Sequence, residues 1–293
     1  MRSALPSGFA LLSALAVLAA CSAPSTGVSG DPAPLPASAT APPVIYEVFV
    51  RSFTPEGTLR AATARLDSVR ALGVDVVWLM PVYPVGELNR KGRLGSPYAV
   101  RDTRGVDPRL GTLDDLRAFV DAAHGRGMRV VLDWVANHTA PDHRWVSEHP
   151  EWYTAGPAGE RPVPPVGTDW FDVADLDYAA PGLAEAMAAE LAFWVREVGV
   201  DGFRCDVAGM VPETFWTPTL AGLRTLKPGL FVLAEGDDAW LGRAGFDASY
   251  SWATYHGLKT AWETGDAGPF LAAALAEQSA PPTAAPMHFI TNH

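Results

Sequence analysis

Arg129-Val130-Val131-Leu132-Asp133-Trp134-Val135-Ala136-Asn137-His138 is the stretch on which the fold turns. It opens as an apolar run of the kind needed by a strand buried on both faces, and it ends in polar groups. Asp201-Gly202-Phe203-Arg204-Cys205-Asp206 and Leu230-Phe231-Val232-Leu233-Ala234-Glu235 repeat the design, and His288-Phe289-Ile290-Thr291-Asn292-His293 begins in the same way. From Val44 onward such runs alternate with amphipathic stretches, the pattern of βα units around a parallel sheet. Strands are expected at Val44–Phe53, Val74–Pro81, Met128–Val135, Val200–Val207, Leu230–Glu235, Phe246–Trp252 and His288–Asn292. Between them, Leu59, Ala62, Leu66, Val69 and Leu72 repeat near a helical period. Thr112 with Asp115 predicts a helix start ahead of Leu116–Gly125, and Pro181 is expected to open a helix running to Glu197.

An eight-unit barrel takes about 250 residues, which the stretch from Val44 to His293 supplies, yet it contains only seven strand signals. The expected fold class is therefore α/β, a TIM (β/α)8-type barrel with seven of its eight strands present. A Pro-, Gly- and Trp-rich insertion, 139–180, follows the third strand. A structureless loop of that length would argue against the assignment, so it is expected to form a small domain.

The chain has 293 residues, is 48% hydrophobic and carries a net charge of −11. That excludes disorder for most of its length and leaves no basic footprint for a phosphate backbone, so no nucleic-acid partner is expected. Arg2 precedes an apolar run from Phe9 to Ala20, too short for the roughly 20 residues of a membrane span and suited to an export signal. Cys205 lies inside a predicted strand, and with Cys21 as the only other cysteine no disulfide framework is expected. Residues 22–43 are an Ala, Pro, Ser, Thr and Gly linker expected to be disordered.

Side chains alternate along a strand, so Arg204 and Asp206 share one face while Phe203 and Cys205 share the other. The apolar pair suits the helix-facing side, which turns Arg204 and Asp206 into the barrel at its C-terminal mouth, where sites of this fold are built. An adjacent arginine favours the ionised form of Asp206. Glu235 ends the next strand, where burial and a neighbouring negative charge favour its acid form.

The four segments resemble the four short motifs of the alpha-amylase family of glycoside hydrolases, and Leu18-Ala19-Ala20-Cys21 resembles a bacterial lipobox. The first resemblance implies a retaining glycoside hydrolase that cleaves α-1,4-glucosidic bonds in starch, glycogen or maltodextrin. Asp206 would be the nucleophile and Glu235 the acid/base, about 5 to 5.5 Å apart. Tyr98, His138, Arg204 and His293 would bind the sugar at the cleavage point, Asp133 would orient Arg204, and 139–180 would be domain B. Asn137 and Asp175 match positions that hold a structural calcium, which needs six to eight oxygen ligands. In the insertion, Trp145, Trp152 and Trp170 are either packing residues or stacking surfaces for glucose.

Two departures qualify the resemblance. Val207-Ala208-Gly209-Met210 lacks the lysine and histidine that many endo-amylases carry there, so a glucan transglycosylase of the same family is the alternative. The fourth motif normally continues with an aspartate after His293, so the expectation is a fragment with very low hydrolysis, or a non-catalytic glucan-binding lipoprotein. The lipobox implies a protein exported and lipid-anchored through Cys21 to a bacterial membrane.

Overall fold

A computed structural model describes residues 42–279 and 283–291. The expected signal segment, Cys21, the linker before residue 42, Asn292 and His293 lie outside the described residues. The strands are β1 (Ile45–Val48), β2 (Val76–Leu79), β3 (Arg129–Val135), β4 (His138–Thr139), β5 (Ala174–Asp175), β6 (Gly202–Asp206), β7 (Phe231–Ala234), β8 (Ala248–Tyr250) and β9 (Ala285–Met287). Among the described residues seven of them form one parallel sheet in the order β1-β2-β3-β6-β7-β8-β9. Neighbours in sequence are neighbours in space throughout, as βα repetition demands. The strands β4 and β5 pair antiparallel outside that sheet.

The period-2 alternation sorts the side chains into two cores. Val77, Leu79, Leu132, Trp134, Phe203, Cys205, Val232 and Ala234 point outward and pack with the helices, including Phe119 and Val120 of Leu113–His124 and Leu191 and Trp194 of Leu183–Glu197. Val76, Trp78, Val131, Phe231, Leu233, Ala248 and Tyr250 point inward and form a second cluster. Residues from β2 to β8 meet in that cluster because the sheet curls on itself. Fully burying each such side chain contributes about 1.5–3 kcal/mol, so the alternation is what selects the register.

The expected elements differ from the observed ones at their ends. Strand β1 stops at Val48, where Met80 N–H makes the last ladder bond at 3.1 Å, because Val50–Phe53 turns into a helix. The helix read over 59–72 is two, Leu59–Thr63 and Leu66–Ala71. Thr63 Oγ1 donates back to the Leu59 carbonyl at 2.8 Å, a contact that competes with helix continuation. The last strand is Ala285–Met287 rather than His288–Asn292: its ladder follows β8 and ends where Ser251 leads into the helix Trp252–Thr264. Alanine and proline hid it, and Pro286 is tolerated because β9 is an edge among the described strands. The third helix begins at Leu183 after a left-handed Gly182, two residues beyond the expected opening at Pro181. The capping box at Thr112 forms as read, with Thr112 Oγ1 accepting from Asp115 N–H at 3.1 Å and Asp115 Oδ2 accepting from Thr112 N–H at 2.9 Å.

The insertion is ordered without becoming a layer of the sheet. Trp145 and Trp152 pack edge to face at 5.2 Å, both buried, and Trp152 Nε1 donates to the Pro181 carbonyl at 3.0 Å. Those two rings are therefore packing residues and offer no face to a sugar. Among the described residues no helix is long and apolar enough to cross a membrane.

Gly202 opens β6 with φ 156°, and a Cβ there would lie 1.7 Å from the Phe231 carbonyl oxygen. Gly202→Ala is expected to cost more than about 4 kcal/mol, since relief requires β6 and β7 to separate. Chemical denaturation checks this, and a loss below about 1 kcal/mol would show that the strands can part without penalty.

Candidate active site

Four polar side chains converge where β3, β6 and β7 end. Arg204 and Asp206 face inward from β6, Asp133 from β3, and Glu235 follows β7. The Arg204 side chain is fully buried. Its Nη1 donates to Asp133 Oδ1 at 2.8 Å and to Asp206 Oδ1 at 2.9 Å, and its Nη2 lies 2.8 Å from Glu235 Oε2. One guanidinium thus faces three carboxyl groups. Asp206 and Glu235 sit on its two terminal nitrogens, so their separation is capped by the width of that group plus two short contacts, and both lie at the same rim.

Aromatic rings enclose the cation. Its Cζ lies 5.1 Å from the Trp78 ring centroid and 5.7 Å from those of Tyr98 and Tyr250. Trp78 Nε1 and Tyr98 Oη both donate to Asp133 Oδ2 at 3.1 Å, and Tyr83 Oη donates to the Asp133 carbonyl at 2.9 Å. The buried Asp133 carboxyl thus accepts from Arg204, Trp78 and Tyr98, which offsets the cost of removing it from water. Trp78, Tyr83 and Tyr250 were not read from the sequence as parts of the site. A signal for the first existed: an inward tryptophan on β2 needs an acceptor for its indole N–H.

Asp206 has the arginine partner expected of it, but its electrostatics are set by more than that contact. Burial pushes its carboxyl well above the usual range, Arg204 opposes this, and the charges of Asp133 and Glu235 add to the rise. The guanidinium is shared three ways, so it offsets only part of the desolvation and like-charge repulsion. Burial likewise drives the Tyr98 hydroxyl far above its ordinary value, which keeps it a donor to Asp133.

Asp206, Glu235, Tyr98 and His138 line one cavity of about 280 Å³, together with Lys91, Ser96, Trp170, Asp172, Val173 and Val207. Trp170, alone of the three insertion tryptophans in question, reaches this wall, edge-on to His138 at 5.7 Å. Lys91 Nζ pairs with Asp172 Oδ1 at 3.0 Å and lies over the Phe171 ring at 4.8 Å, so two loops distant in sequence close one side. A larger cavity of about 1140 Å³ opens between the edges β1 and β9, lined by Ile45, Tyr46, Met287 and Phe289 among others. Trp78 and Tyr250 line it too, but Asp133, Asp206 and Glu235 do not.

His138 is buried, approaches Asn137 Nδ2 across 3.3 Å through Nδ1, and hydrogen-bonds the Tyr98 backbone. The pairing of β4 with β5 sets His138 opposite Asp175 and brings the Asn137 amide to the Asp175 carboxyl. Asp175 also accepts from Thr154 Oγ1 at 2.7 Å, and burial raises its pKa. The two expected calcium positions are thus adjacent. The Asn137 amide donates to the Asp175 carboxyl there. Asp102 caps the Arg104 N–H at 2.9 Å and does not line the cavity.

Residues 26–163 match the family model described as the alpha amylase catalytic domain. The alpha-1,4-glucan:maltose-1-phosphate maltosyltransferase of Arcanobacterium haemolyticum is 38% identical over 245 residues, covering 72% of this chain and 35% of that protein. A Streptomyces coelicolor relative with the same description, maltosyltransferase 2, is 36% identical over 73% of this chain and 36% of its own length. The chain thus spans about a third of the length of these curated relatives. The crystal structure of an alpha-amylase from Lactobacillus plantarum superposes with a TM-score of 0.80 at 37% identity, covering 86% of this chain and 63% of that one. A noncanonic maltogenic alpha-amylase from Thermotoga neapolitana gives a TM-score of 0.79 at 35% identity, covering 86% and 59%.

Burial lowers the pKa of both His138 and His143 to about 4. A folded-state pKa below the unfolded one means that the unfolded chain takes up the protons. Their contribution is therefore intact above the unfolded value of 6.5 and is lost as pH falls through about 4, roughly 3 kcal/mol for each. Urea denaturation between pH 7 and pH 4 is expected to show this decline, and His143→Asn, which keeps an acceptor for Trp145 N–H, is expected to flatten it. Equal slopes in the two proteins would refute the assignment.

Proposed function

Because the family model over residues 26–163 and the solved neighbours support an alpha-amylase-family catalytic domain, we propose that this chain carries the retaining site of an enzyme acting on α-1,4-glucans. The favoured outcome is transfer of a glucosyl or maltosyl unit to a sugar acceptor. The observation that carries the reading is the pair Asp206 and Glu235 on the two ends of one buried guanidinium, at the rim where a barrel site opens. Relatives described as maltosyltransferases favour transfer over hydrolysis. So does the Val207–Met210 turn, which brings no charged side chain past Asp206 to hold a catalytic water or a cleaved end. Hydrolysis is the second reading, favoured by structural neighbours described as alpha-amylases.

In this mechanism Asp206 attacks the anomeric carbon while Glu235 protonates the departing glycosidic oxygen, giving a glycosyl ester on Asp206. Glu235 then takes the proton of an incoming sugar hydroxyl, or of water, as that oxygen displaces Asp206. Asp133 and Arg204 hold the two carboxyl groups in place, and Tyr98, His138 and Trp170 form the wall against the donor sugar. His293 enters as a further sugar ligand on the sequence resemblance alone, and so does attachment of an exported protein through a lipid on Cys21, which metabolic labelling with a radioactive fatty acid tests.

Asp206→Asn and Glu235→Gln are each expected to lower sugar release from maltodextrin by at least about 10³-fold. Unchanged glucan binding with no turnover in the parent protein would instead support a non-catalytic binding protein. Chromatography of products at high maltose concentration separates the readings: longer oligosaccharides mean transfer, free maltose or glucose means hydrolysis.

The nucleophile works ionised, and its raised pKa places the acid limb of kcat/KM above pH 3.8. Asp133→Asn removes one of the charges that raise it, so the limb is expected to move to lower pH. An acid limb at or below pH 3.8 in the parent protein would contradict this ordering of charges.

A further inference from the structure

Val207 follows Asp206 and lines the same cavity as both carboxyl groups. Its backbone is left-handed, with φ 37° and ψ 48°. For a β-branched residue that conformation is strained and persists only where its surroundings hold it. They do so here from both sides. The Val207 N–H donates to Glu235 Oε2 at 2.8 Å, and the next N–H, that of Ala208, donates to the Glu235 backbone carbonyl at 3.0 Å. Behind the turn, Met210 N–H donates to the Val207 carbonyl at 2.8 Å, and Trp216 Nε1 donates to the Ala208 carbonyl at 3.1 Å.

Glu235 Oε2 therefore accepts from the Val207 N–H and lies 2.8 Å from Arg204 Nη2 in an ion pair. An oxygen that already accepts an N–H and faces a cation is the poorer place for the acid proton, which leaves Oε1 to carry it. We infer that Val207 is a positioning residue: its left-handed backbone aims an N–H at Glu235 Oε2 and so makes Oε1 the atom that gives the proton to the departing sugar oxygen. As the glycosidic C–O bond breaks, its electron pair takes the proton from Oε1 while the Asp206 oxygen bonds to the anomeric carbon. In the second half the acceptor hydroxyl returns a proton to Oε1 as its oxygen displaces Asp206. The inference rests on the reading of Glu235 as acid/base and adds which oxygen acts and what selects it.

The test replaces the Val207 amide by an ester, using the hydroxy-acid analogue of valine, so that the side chain stays and only the N–H is lost. Two donors are compared, maltotriose, whose leaving sugar needs a proton, and α-maltosyl fluoride, whose leaving group depends on it far less. The ester form is expected to lose at least about tenfold in kcat/KM on maltotriose and less than about threefold on the fluoride. Val207→Gly keeps the N–H and takes a positive φ without strain, so whatever it loses in packing is expected to fall equally on both donors, leaving the ratio of the two activities within about threefold of the parent's. In the ester form, an equal loss on the two donors, or none on either, overturns the inference. Should the ester form fail to fold, the amide proton of Val207 in the otherwise unaltered chain decides. Its NMR resonance is expected to move upfield in Glu235→Gln, where a neutral acceptor replaces a carboxyl, and a stationary resonance overturns the inference. Parent protein that turns over neither donor defeats the acid/base reading itself, whereas parent turnover with an unchanged donor ratio in the ester form defeats only the role of Val207.

Discussion

A single guanidinium, removed from water and shared among three carboxyl groups, is the constraint around which this barrel is organised. Arg204 reaches Asp133, Asp206 and Glu235 at 2.8 to 2.9 Å from a position with no solvent access. Isolated burial of any one of these charges would cost several kcal/mol, so each is tolerable only because the others are there. The surrounding rings complete the arrangement: Trp78, Tyr98 and Tyr250 offer π-faces to the cation, and the indole and phenol donors of the first two satisfy Asp133. The inner face of the sheet is thus apolar below and polar at its rim, and the change occurs within one residue step of β3, β6 and β7.

That partition also explains why the site tolerates backbone strain where it does. Strand β6 carries a glycine pressed against the Phe231 carbonyl at one end and a left-handed valine at the other. Both irregularities act on the β6–β7 seam, the first by letting the strands approach and the second by turning an N–H toward the carboxyl that follows β7. The seam between Asp206 and Glu235 is tied by three hydrogen bonds, from Glu235 N–H to the Cys205 carbonyl, from Ala208 N–H to the Glu235 carbonyl and from Val207 N–H to Glu235 Oε2.

The loops have a different origin. Lys91 and Asp172 close one wall of the cavity from segments 81 positions apart, neither with a periodic pattern, and Trp170 stands beside them. Nothing in the local sequence distinguishes Trp170, which lines the cavity, from Trp145 and Trp152, which are buried in packing. Their neighbours make the difference: Trp152 stacks on His149 and bonds the Pro181 carbonyl, whereas Trp170 meets His138 at the rim.

By itself the sequence determined the parallel βα order, the inward face of β6 and the identity of the polar groups at the strand ends. It could do so because strand periodicity and burial act locally, and each residue's neighbours in the chain carry the signal. Strand ends were legible only to within a few residues, as β9 shows, because a ladder ends where its partner turns away and that partner lies elsewhere in the sequence. Only the tertiary structure decided that Arg204 is divided three ways, that burial raises the Asp206 carboxyl against the pull of Arg204, and that Trp78, Tyr250 and Val207 stand at the site. Electrostatic energies in a dry interior depend on distances between groups that the chain brings together only once the sheet has curled.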